Sequence, residues 1–353
     1  MPYPENKEFT TILAKIDAWL GKGLPFAVYR KPKQEKVTAV FQGNDVLHKT
    51  IDFEDEGFVF APFDLKDNAI LIQPDELLTG TFKTESQVGK NMIEISESGK
   101  ETHINLVRKG ISEIEKGHLK KVVLSRKMEV EFATSPVKIF QSLLNHYTNA
   151  FCYLFHHPKV GTWCGATPET LVEIKDKQLR TMSLAATLPF QGDKKPMWGL
   201  KEIEEQRMVS DYIQERLGPA MEELHIGQTE SVRAGNLWHL RSEVTGVLSS
   251  GNAIKKVITA LHPTPAVCGI PTQAAKSFIL ENENYERSFY TGFLGELNLS
   301  KVGETALFVN LRCMELQGKT AAIFVGGGIT SASQPESEWI ETQNKSRTML
   351  NIL

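Results

Sequence analysis

The spacing of apolar and polar residues along the chain predicts many strands interrupted by a few helices. Apolar positions recur every three or four residues over 8–20, 101–117 and 200–217, which is the periodicity of helices with one buried face. Short apolar runs bounded by Gly, Pro, Lys, Asn or Asp predict strands at 24–32, 37–42, 57–63, 121–132, 150–157, 161–166, 169–175 and 179–188.

The remaining segments complete an α+β pattern. A weak pattern between 64 and 100 predicts solvated connections. Consecutive strands with few helices favour large, mainly antiparallel sheets over a regular β–α–β alternation. No linker rich in Pro or Ser divides the chain, so one large domain over 1–353 is expected. In the last third we predict strands at 237–248, 291–299, 305–316 and 320–326, a loop at 262–271, and helices over 273–281 and from about Ser337.

The composition is that of a globular protein with a sizeable core. Of the 353 residues 41% are hydrophobic and 24% are charged, and 40 Lys or Arg against 43 Asp or Glu give a formal charge of -3. This balance favours neither nucleic acid nor an anionic membrane as a partner. The first residues lack the pattern of a signal peptide, and no apolar run reaches the ~18–20 residues of a bilayer span, so a cytoplasmic location is expected.

The cysteines predict neither disulfides nor a zinc site. Cys152, Cys164, Cys268 and Cys313 are scattered without CxxC spacing. Reduced, buried thiols in a cytosolic protein are therefore expected.

Two helical segments carry the same pair of acidic residues. Glu202 and Glu205 are three positions apart in the helix predicted over 200–217, and Glu338 and Glu341 repeat the spacing in the closing helix. Residues three apart share one helix face, so two such helices facing each other would offer four carboxylates to a hard cation. Mg²⁺ prefers oxygen ligands and suits such a site. A solvated helix face explains either pair equally well when it is taken alone.

Several single residues also have a chemical and a structural interpretation. Gly326, Gly327 and Gly328 would let backbone N–H groups approach an anion, or would form a tight turn. Lys121, at the start of an apolar strand, is either a surface charge at a sheet edge or a functional amine. His239 lies in the middle of a predicted strand, where a structural role is the simpler reading.

Arg312 and Glu169 give somewhat stronger signals. Arg312 lies within an apolar strand, where a guanidinium needs an anionic partner. Glu169 follows a proline and either caps a turn or faces a pocket.

In their order along the chain, these segments resemble the chorismate-utilising enzymes, which include isochorismate, salicylate, anthranilate and aminodeoxychorismate synthases. The resemblance runs from about Lys121 to the C-terminus, whereas residues 1–100 match much less and are expected to be a variable framework before a catalytic core over 101–353. It implies a single chorismate-binding domain of mainly antiparallel sheets sandwiched with helices. The motifs are KVVLSR, GATPETL, SLAAT, KEIEEQ, LWHLRSEV, HPTPAVCG, ERSFYTGFLGEL, LRC, GGGI and SEWIETQNK.

The resemblance also implies a role for each candidate residue. Lys121 would be the general base and Glu169 the general acid, so Lys121 must be neutral part of the time and Glu169 must hold a proton. Glu205 and Glu341 would bind Mg²⁺ directly, and Glu202 and Glu338 through water. The substrate would be held by Thr187, His239, Tyr290, Arg312, Gly326, Gly327, Gly328 and Lys345.

Within the family, two features favour an isochorismate synthase, which adds water at C2 of chorismate and removes the C4 hydroxyl. Lys121 stands where anthranilate synthases usually have glutamine, so no glutamine amidotransferase subunit is expected. HPTPAVCG has the form typical of isochorismate synthases.

A salicylate synthase, which goes on to eliminate pyruvate, is the alternative, and we expect Val267 and Tyr290 to be the pocket walls that decide between them. The product would enter menaquinone or siderophore biosynthesis.

Two residues depart from the family pattern. Ala186 replaces the usual glycine of Leu-Ala-Gly-Thr, and Gln206 replaces the histidine that usually follows the metal-binding glutamate. Ala186 adds a methyl group near the expected substrate ring, whereas Gln206 is next to a metal ligand and is not itself one.

Overall fold

A computed structural model describes residues 4–84, 96–190, 196–234, 237–249 and 254–353. Within these residues the α-helices are α1 Phe9–Lys22, α2 Lys100–Glu115, α3 Pro136–His146, α4 Leu200–Leu217, α5 Ile254–Leu261, α6 Thr272–Asn282 and α7 Pro335–Leu350.

The strands form two large sheets, and only the β1–β7 pair is parallel among the described pairings. In sheet order, the first sheet consists of β1 Glu5–Asn6, β7 Glu76–Thr81, β3 Lys36–Phe41, β2 Phe26–Arg30, β9 Phe151–His157, β10 Gly161–Thr167, β19 Cys313–Gln317, β20 Thr320–Ile329, β8 Lys121–Glu131 and β16 Gly269–Ile270. The second consists of β13 Met221–Ile226, β15 Leu237–Leu248, β12 Gln178–Pro189, β11 Thr170–Lys175, β18 Thr305–Val309, β17 Phe293–Leu297, β5 Gly57–Ala61, β6 Ala69–Ile72 and β4 His48–Thr50, with β14 Glu230–Ala234 paired to β15.

The two sheets face each other across an aromatic core, and helices cover their outer faces. Phe60 of the second sheet stacks on Phe289 and lies edge-on to Trp163 of the first sheet. Helices α1, α3 and α7 pack on the first sheet, and α4 and α5 pack on the second. The central strands such as β2, β5, β17 and β18 therefore bury both faces, which requires apolar runs instead of strict alternation. The predicted α+β class with sandwiched antiparallel sheets is confirmed.

Several predicted boundaries were wrong. The segment 64–100 contains strands β6 and β7, because AILI and ELLTG are short apolar runs that the neighbouring strands bury; residues 85–95 lie outside the described part of the chain. Helices α3 and α5 were not predicted, although Ser135 caps α3 and Pro136 occupies its first turn. The predicted loop at 262–271 ends in the short strand β16, where Gly269 and Ile270 pair with β8.

Two further observations concern membrane-spanning helices and the state of the cysteines. None of the helices in the described residues is long and apolar enough to cross a membrane. All four cysteines are buried and free, as the sequence predicts.

Candidate active site

Two site residues lie where the chain crosses from one sheet to the other. Glu169 follows β10 of the first sheet and precedes β11 of the second, and Arg312 lies between β18 of the second sheet and β19 of the first. The crossings are joined: Val309 N donates to Glu169 O at 3.0 Å, and Ala166 N donates to Arg312 O at 3.0 Å. The prediction of one strand over 305–316 was thus wrong, because Arg312 has a φ of +49° and breaks it.

The three glycines belong to a strand, so the tight turn is excluded. β20 continues through them and pairs with β8, with Gly326 opposite Ser125 and Gly328 opposite Val123. A side chain here would collide with the site: a Cβ on Gly327 would lie 3.3 Å from Glu338 Oε2, and one on Gly328 would overlap Glu205 Oε1. Glycine therefore lets the carboxylates of α4 and α7 approach the sheet directly.

Three carboxylates meet at this glycine strand, and each is paired with a lysine. Lys121 Nζ lies 2.9 Å from Glu205 Oε1. Lys345 Nζ lies 2.6 Å from Glu341 Oε1 and donates to Gly326 O at 2.8 Å. The third pair joins Lys201 Nζ to Glu338 Oε1.

Neighbouring charges shift the pKa values of two of these carboxyl groups in opposite directions. Burial alone would raise the pKa of Glu205, but Lys121 and the neighbouring lysines bring that pKa below its usual value. Burial and the nearby Glu341 raise the pKa of Glu338, against the opposing effect of Lys201. Lys121 is fully buried, so a surface charge is excluded, and its ion-pair partner is the carboxylate of Glu205.

Glu169 is placed where a carboxylic acid keeps its proton. It is only 4% exposed, and burial raises its pKa to about 8 against the lowering effects of Lys121, Lys345 and Arg312. Glu169 is therefore poorly solvated, which favours its protonated form.

His239 and Thr187 lie together beside Arg312. His239 Nδ1 is 2.9 Å from Ala186 O and 3.3 Å from Thr187 Oγ1, and its Nε2 is 3.5 Å from an Arg312 nitrogen. Burial and then Arg312 and Lys345 lower the pKa of His239 to about 3, so the imidazole is neutral. Its Nδ1 hydrogen is then donated to the Ala186 carbonyl.

The two departures from the family pattern have local explanations. Ala186 lies at an irregularity of β12, with a φ of +59°, a conformation that glycine adopts without steric cost. Gln206 points away from the carboxylates: its Nε2 donates to Ser183 O and to Ser183 Oγ, both at 3.0 Å, and so links α4 to β12.

One pocket gathers most of the predicted site residues. Tyr290 forms part of its wall, with its ring stacked on Phe324 at 5.5 Å, and Val267 lies in the wall as well. The predicted residues that line it are Glu169, Thr187, Glu205, His239, Tyr290, Arg312, Gly326, Gly327, Gly328, Glu341 and Lys345. Lys121 and Glu338 adjoin it through the glycine strand.

The carboxylate of Glu202 does not lie with those of Glu205, Glu338 and Glu341. It is half-buried at the start of α4, where its Oε2 accepts a hydrogen bond from Gly199 N at 2.9 Å. In this structure its carboxylate caps the helix instead of joining Glu205, Glu338 and Glu341.

The donor set fits Mg²⁺ as an oxygen-only site. Glu338 is 1% exposed, and its Oε2 has no hydrogen-bond partner among the described residues, which is the condition of a ligand awaiting a cation or its water. In the described part of the chain, no three Asp, Glu, His or Cys side chains are gathered closely enough to hold a metal as they stand, and a lysine is paired with each of the three glutamates. A cation would have to displace one or more of these ammonium groups.

Sequence reasoning missed two groups of residues at this site. Lys201 was not considered, although it lies four positions before Glu205 and such pairs are neighbours on a helix. Glu283 and Arg287 form a fully buried ion pair behind the pocket, and Arg287 donates to Val123 O at 2.7 Å and to Val267 O at 2.9 Å. The spacing of four residues between Glu283 and Arg287 is visible in the sequence, but no local pattern indicates which backbone carbonyl groups Arg287 binds.

The structure defines an α+β protein of two large, mainly antiparallel sheets with a pocket that is lined by acidic and cationic side chains. The family model described as "Chorismate binding enzyme" matches residues 66–353, and the chain therefore belongs to the chorismate-binding enzyme family.

Relatives with different reactions are similar to this chain. Isochorismate synthase DhbC of Bacillus subtilis (strain 168) is 31% identical over 320 residues, which cover 83% of this chain and 79% of that protein. Anthranilate synthase component 1 of Thermococcus kodakarensis is 26% identical over 306 residues, covering 83% and 68%. The solved structure of DhbC from Bacillus anthracis has a TM-score of 0.81 at 26% identity and covers 94% of this chain and 96% of that one.

Proposed function

We propose that this protein is an isochorismate synthase that converts chorismate to isochorismate with Mg²⁺, acting in the cytoplasm without an amidotransferase subunit. The observation that carries the proposal is that one pocket, lined by Glu169, Arg312 and Lys345, adjoins the fully buried Lys121, and that burial raises the pKa of Glu169 to about 8. The curated relative DhbC of Bacillus subtilis, which bears that name, supports the same reaction.

The reaction adds one water and removes another, so it is a net isomerisation. Lys121, when neutral, takes a proton from the water that adds to C2 of the ring. Glu169 gives its proton to the C4 hydroxyl, which leaves as water while the double bonds shift. The raised pKa of Glu169 suits it to the acid role near neutral pH.

The cations around the pocket would bind the two carboxylates of chorismate. Arg312, Lys345 and the hydroxyl of Tyr290 would hold the enolpyruvyl carboxylate, which is supported by their common position in the pocket lining and by the Tyr290 hydroxyl beside Gly326. Neutral His239 and Thr187 would contact the ring and its substituents without adding charge.

Mg²⁺ would be held by Glu205 and Glu341, with Glu338 binding through water. Bound there, the ion supplies charge neutralisation for the ring carboxylate. Glu202 would join this set only if it left its capping hydrogen bond to Gly199.

Salicylate synthase remains the second candidate because both reactions begin with the same step. Elimination of pyruvate needs the enolpyruvyl chain to swing close to C2. Tyr290 and Val267 are buried walls of the pocket, and a bulky Tyr290 beside the chain favours release of isochorismate. Lys121, in place of glutamine, argues against an ammonia-using synthase.

One incubation tests the proposal. Purified protein is mixed with chorismate and Mg²⁺ at neutral pH, products are separated by chromatography, and pyruvate is assayed with lactate dehydrogenase. We expect a reversible mixture of chorismate and isochorismate, pyruvate near background, and no conversion in excess EDTA. Stoichiometric pyruvate would make the protein a salicylate synthase, and unchanged chorismate would refute both. Full activity in EDTA would remove the metal from the mechanism.

A further inference from the structure

The ammonium group of Lys201 lies among the carboxylates assigned to the metal. Lys201 is in the first turn of α4, one turn before Glu205, and its Nζ reaches across to α7, 2.6 Å from Glu338 Oε1. It is thus the only described side chain shown to make an ion pair between α4 and α7.

The buried carboxylates of Glu205 and Glu338 and the partly buried one of Glu341 all act on this lysine. Burial alone would lower the pKa of Lys201, but Glu338 first, then Glu341 and Glu205, raise it above its usual value. A lysine ammonium is charged at neutral pH, and this one is in direct contact with Glu338. Its exposed fraction is 21%, whereas that of the Glu338 side chain is 2%, so the lysine can withdraw toward solvent but the carboxylate cannot.

A lysine in this position opposes a dication. Two like charges a few ångströms apart repel strongly in a partly buried site, and Mg²⁺ carries twice the charge of Lys201. Without the lysine, however, Glu338 would be a buried carboxylate with no counter-ion and one oxygen already unpartnered among the described residues. Such a charge destabilises the metal-free protein.

We propose that Lys201 is a built-in counter-ion that competes with Mg²⁺ for Glu338 and thereby sets the affinity of the site for the metal. The inference rests on the Mg²⁺ site of the proposed function. Lys201 is on this view a positioning residue: it keeps α4 and α7 together while the metal is absent and must move aside when the metal binds. The site then has a lower metal affinity than its carboxylates alone would give.

The test compares Mg²⁺ binding to the wild type, Lys201→Met and Lys201→Gln without chorismate. MgCl₂ is titrated by calorimetry, and melting temperatures are measured at increasing MgCl₂. We expect both variants to bind Mg²⁺ with a Kd at least about tenfold lower, because one repelling charge is gone. Without metal they should melt below the wild type, and Mg²⁺ should raise their melting temperature more. The Gln variant guards against misfolding, since its amide can still donate to Glu338.

Two further variants separate this role from a general loss of stability. Lys201→Arg keeps the positive charge and should bind Mg²⁺ as the wild type does. Lys276→Met removes a lysine of similar exposure, whose Nζ lies 2.9 Å from Asp64 Oδ1 outside the pocket lining. It should melt earlier but keep the wild-type Kd for Mg²⁺.

Mg²⁺ affinity in Lys201→Gln that is no higher than in the wild type, including no binding to either, overturns the inference. This outcome is distinct from failure of the proposed function. Chorismate conversion by the wild type with unchanged affinity in the variants would refute only the competition. Tighter Mg²⁺ binding in the variants, in a protein that leaves chorismate unchanged, would support the competition and refute the reaction.

Discussion

At the scale of single residues, charged partners decide how burial changes the pKa of a carboxyl group. Glu169 and Glu205 are both buried glutamates of one pocket, yet the pKa of the first is raised and that of the second is lowered. The difference follows from their partners. Glu205 forms an ion pair with Lys121 at 2.9 Å, whereas Lys121, Lys345 and Arg312 act on Glu169 through electrostatic attraction without a hydrogen bond. Two carboxyl groups of the same type thus differ in proton affinity, and Glu169 keeps its proton to a higher pH than Glu205 does.

This difference leads to a prediction for the catalytic pair. Lys121→Gln and Glu169→Gln should each lower kcat/KM for chorismate by about 10²–10⁴-fold, because each removes one of the two proton-transfer groups. Lys120→Gln is the matched control, since Lys120 is the preceding residue and is exposed. Circular dichroism would confirm that the variants fold. Equal losses at Lys120 and Lys121 would show that the base is misassigned.

The pH dependence should report the Glu169 carboxyl. Its pKa of about 8 means that the protonated, donating form predominates below that pH and is lost above it. Initial rates at saturating chorismate and Mg²⁺ should therefore fall as the pH rises through about 8, whatever the low-pH limb shows. A rate that continues to climb well above that pKa would contradict the acid role. The Lys120→Gln variant should reproduce the wild-type profile.

At the scale of elements, the buried pair Glu283–Arg287 connects strand β8 to the wall of the pocket. Glu283 Oε1 accepts from Ser125 N at 2.8 Å and from Ser125 Oγ at 2.7 Å, while Arg287 binds the carbonyls of Val123 and Val267. Strand β8, which begins at Lys121, is thereby tied to the segment after α6. A guanidinium can make these bonds simultaneously because its donors are fixed in a plane.

Removing this arginine should destabilise the protein strongly. Arg287→Met leaves Glu283 as an unpaired buried charge, and we expect the free energy of unfolding to fall by about 3–5 kcal/mol in urea titrations. Arg287→Lys should recover little of the loss, since one ammonium cannot reach all of these acceptors. Lys301→Met breaks the exposed pair with Asp176 and should unfold like the wild type. Similar losses in the Arg287→Met and Lys301→Met variants would disprove the special role of the buried pair.

At the scale of the whole molecule, the two sheets are held together by aromatic side chains behind the site. Trp163 and Tyr290 both stack on Phe324, and Phe60 joins this cluster from the opposite sheet through its edge-on contact with Trp163. The pocket wall and the core between the sheets are therefore one packed unit.

Truncation of Phe60 tests this arrangement. Phe60→Ala should lower the free energy of unfolding by about 3–5 kcal/mol, because it leaves a cavity between the sheets. Leu280→Ala, at a side chain that is 56% exposed, should change it by no more than about 0.5 kcal/mol. Denaturant unfolding followed by tryptophan fluorescence measures both. A small effect at Phe60 would mean that the sheets do not depend on this core.

Much of the fold could be read from local patterns. The period of apolar residues located α1, α2, α4, α6 and α7 and most central strands, since burial of one helix face or of both strand faces is written in neighbouring positions. The repeated spacing of Glu202/Glu205 and Glu338/Glu341 and the order of the motifs indicated the family. The short strands β6 and β7 escaped because four or five apolar residues carry too little periodicity to separate a strand from a connection.

Long-range contacts decided the rest. No local signal tells that Glu169 and Arg312 lie at the two sheet crossings, or that the same acidic spacing gives a helix cap at Glu202 and a buried carboxylate at Glu338. The partner of Lys201 lies 137 positions away along the chain, on a different helix. Periodicity records which side of an element is buried, but the partner that meets that side depends on how the sheets and helices pack. The chemistry at Lys201 and Glu338 therefore exists only in the folded protein.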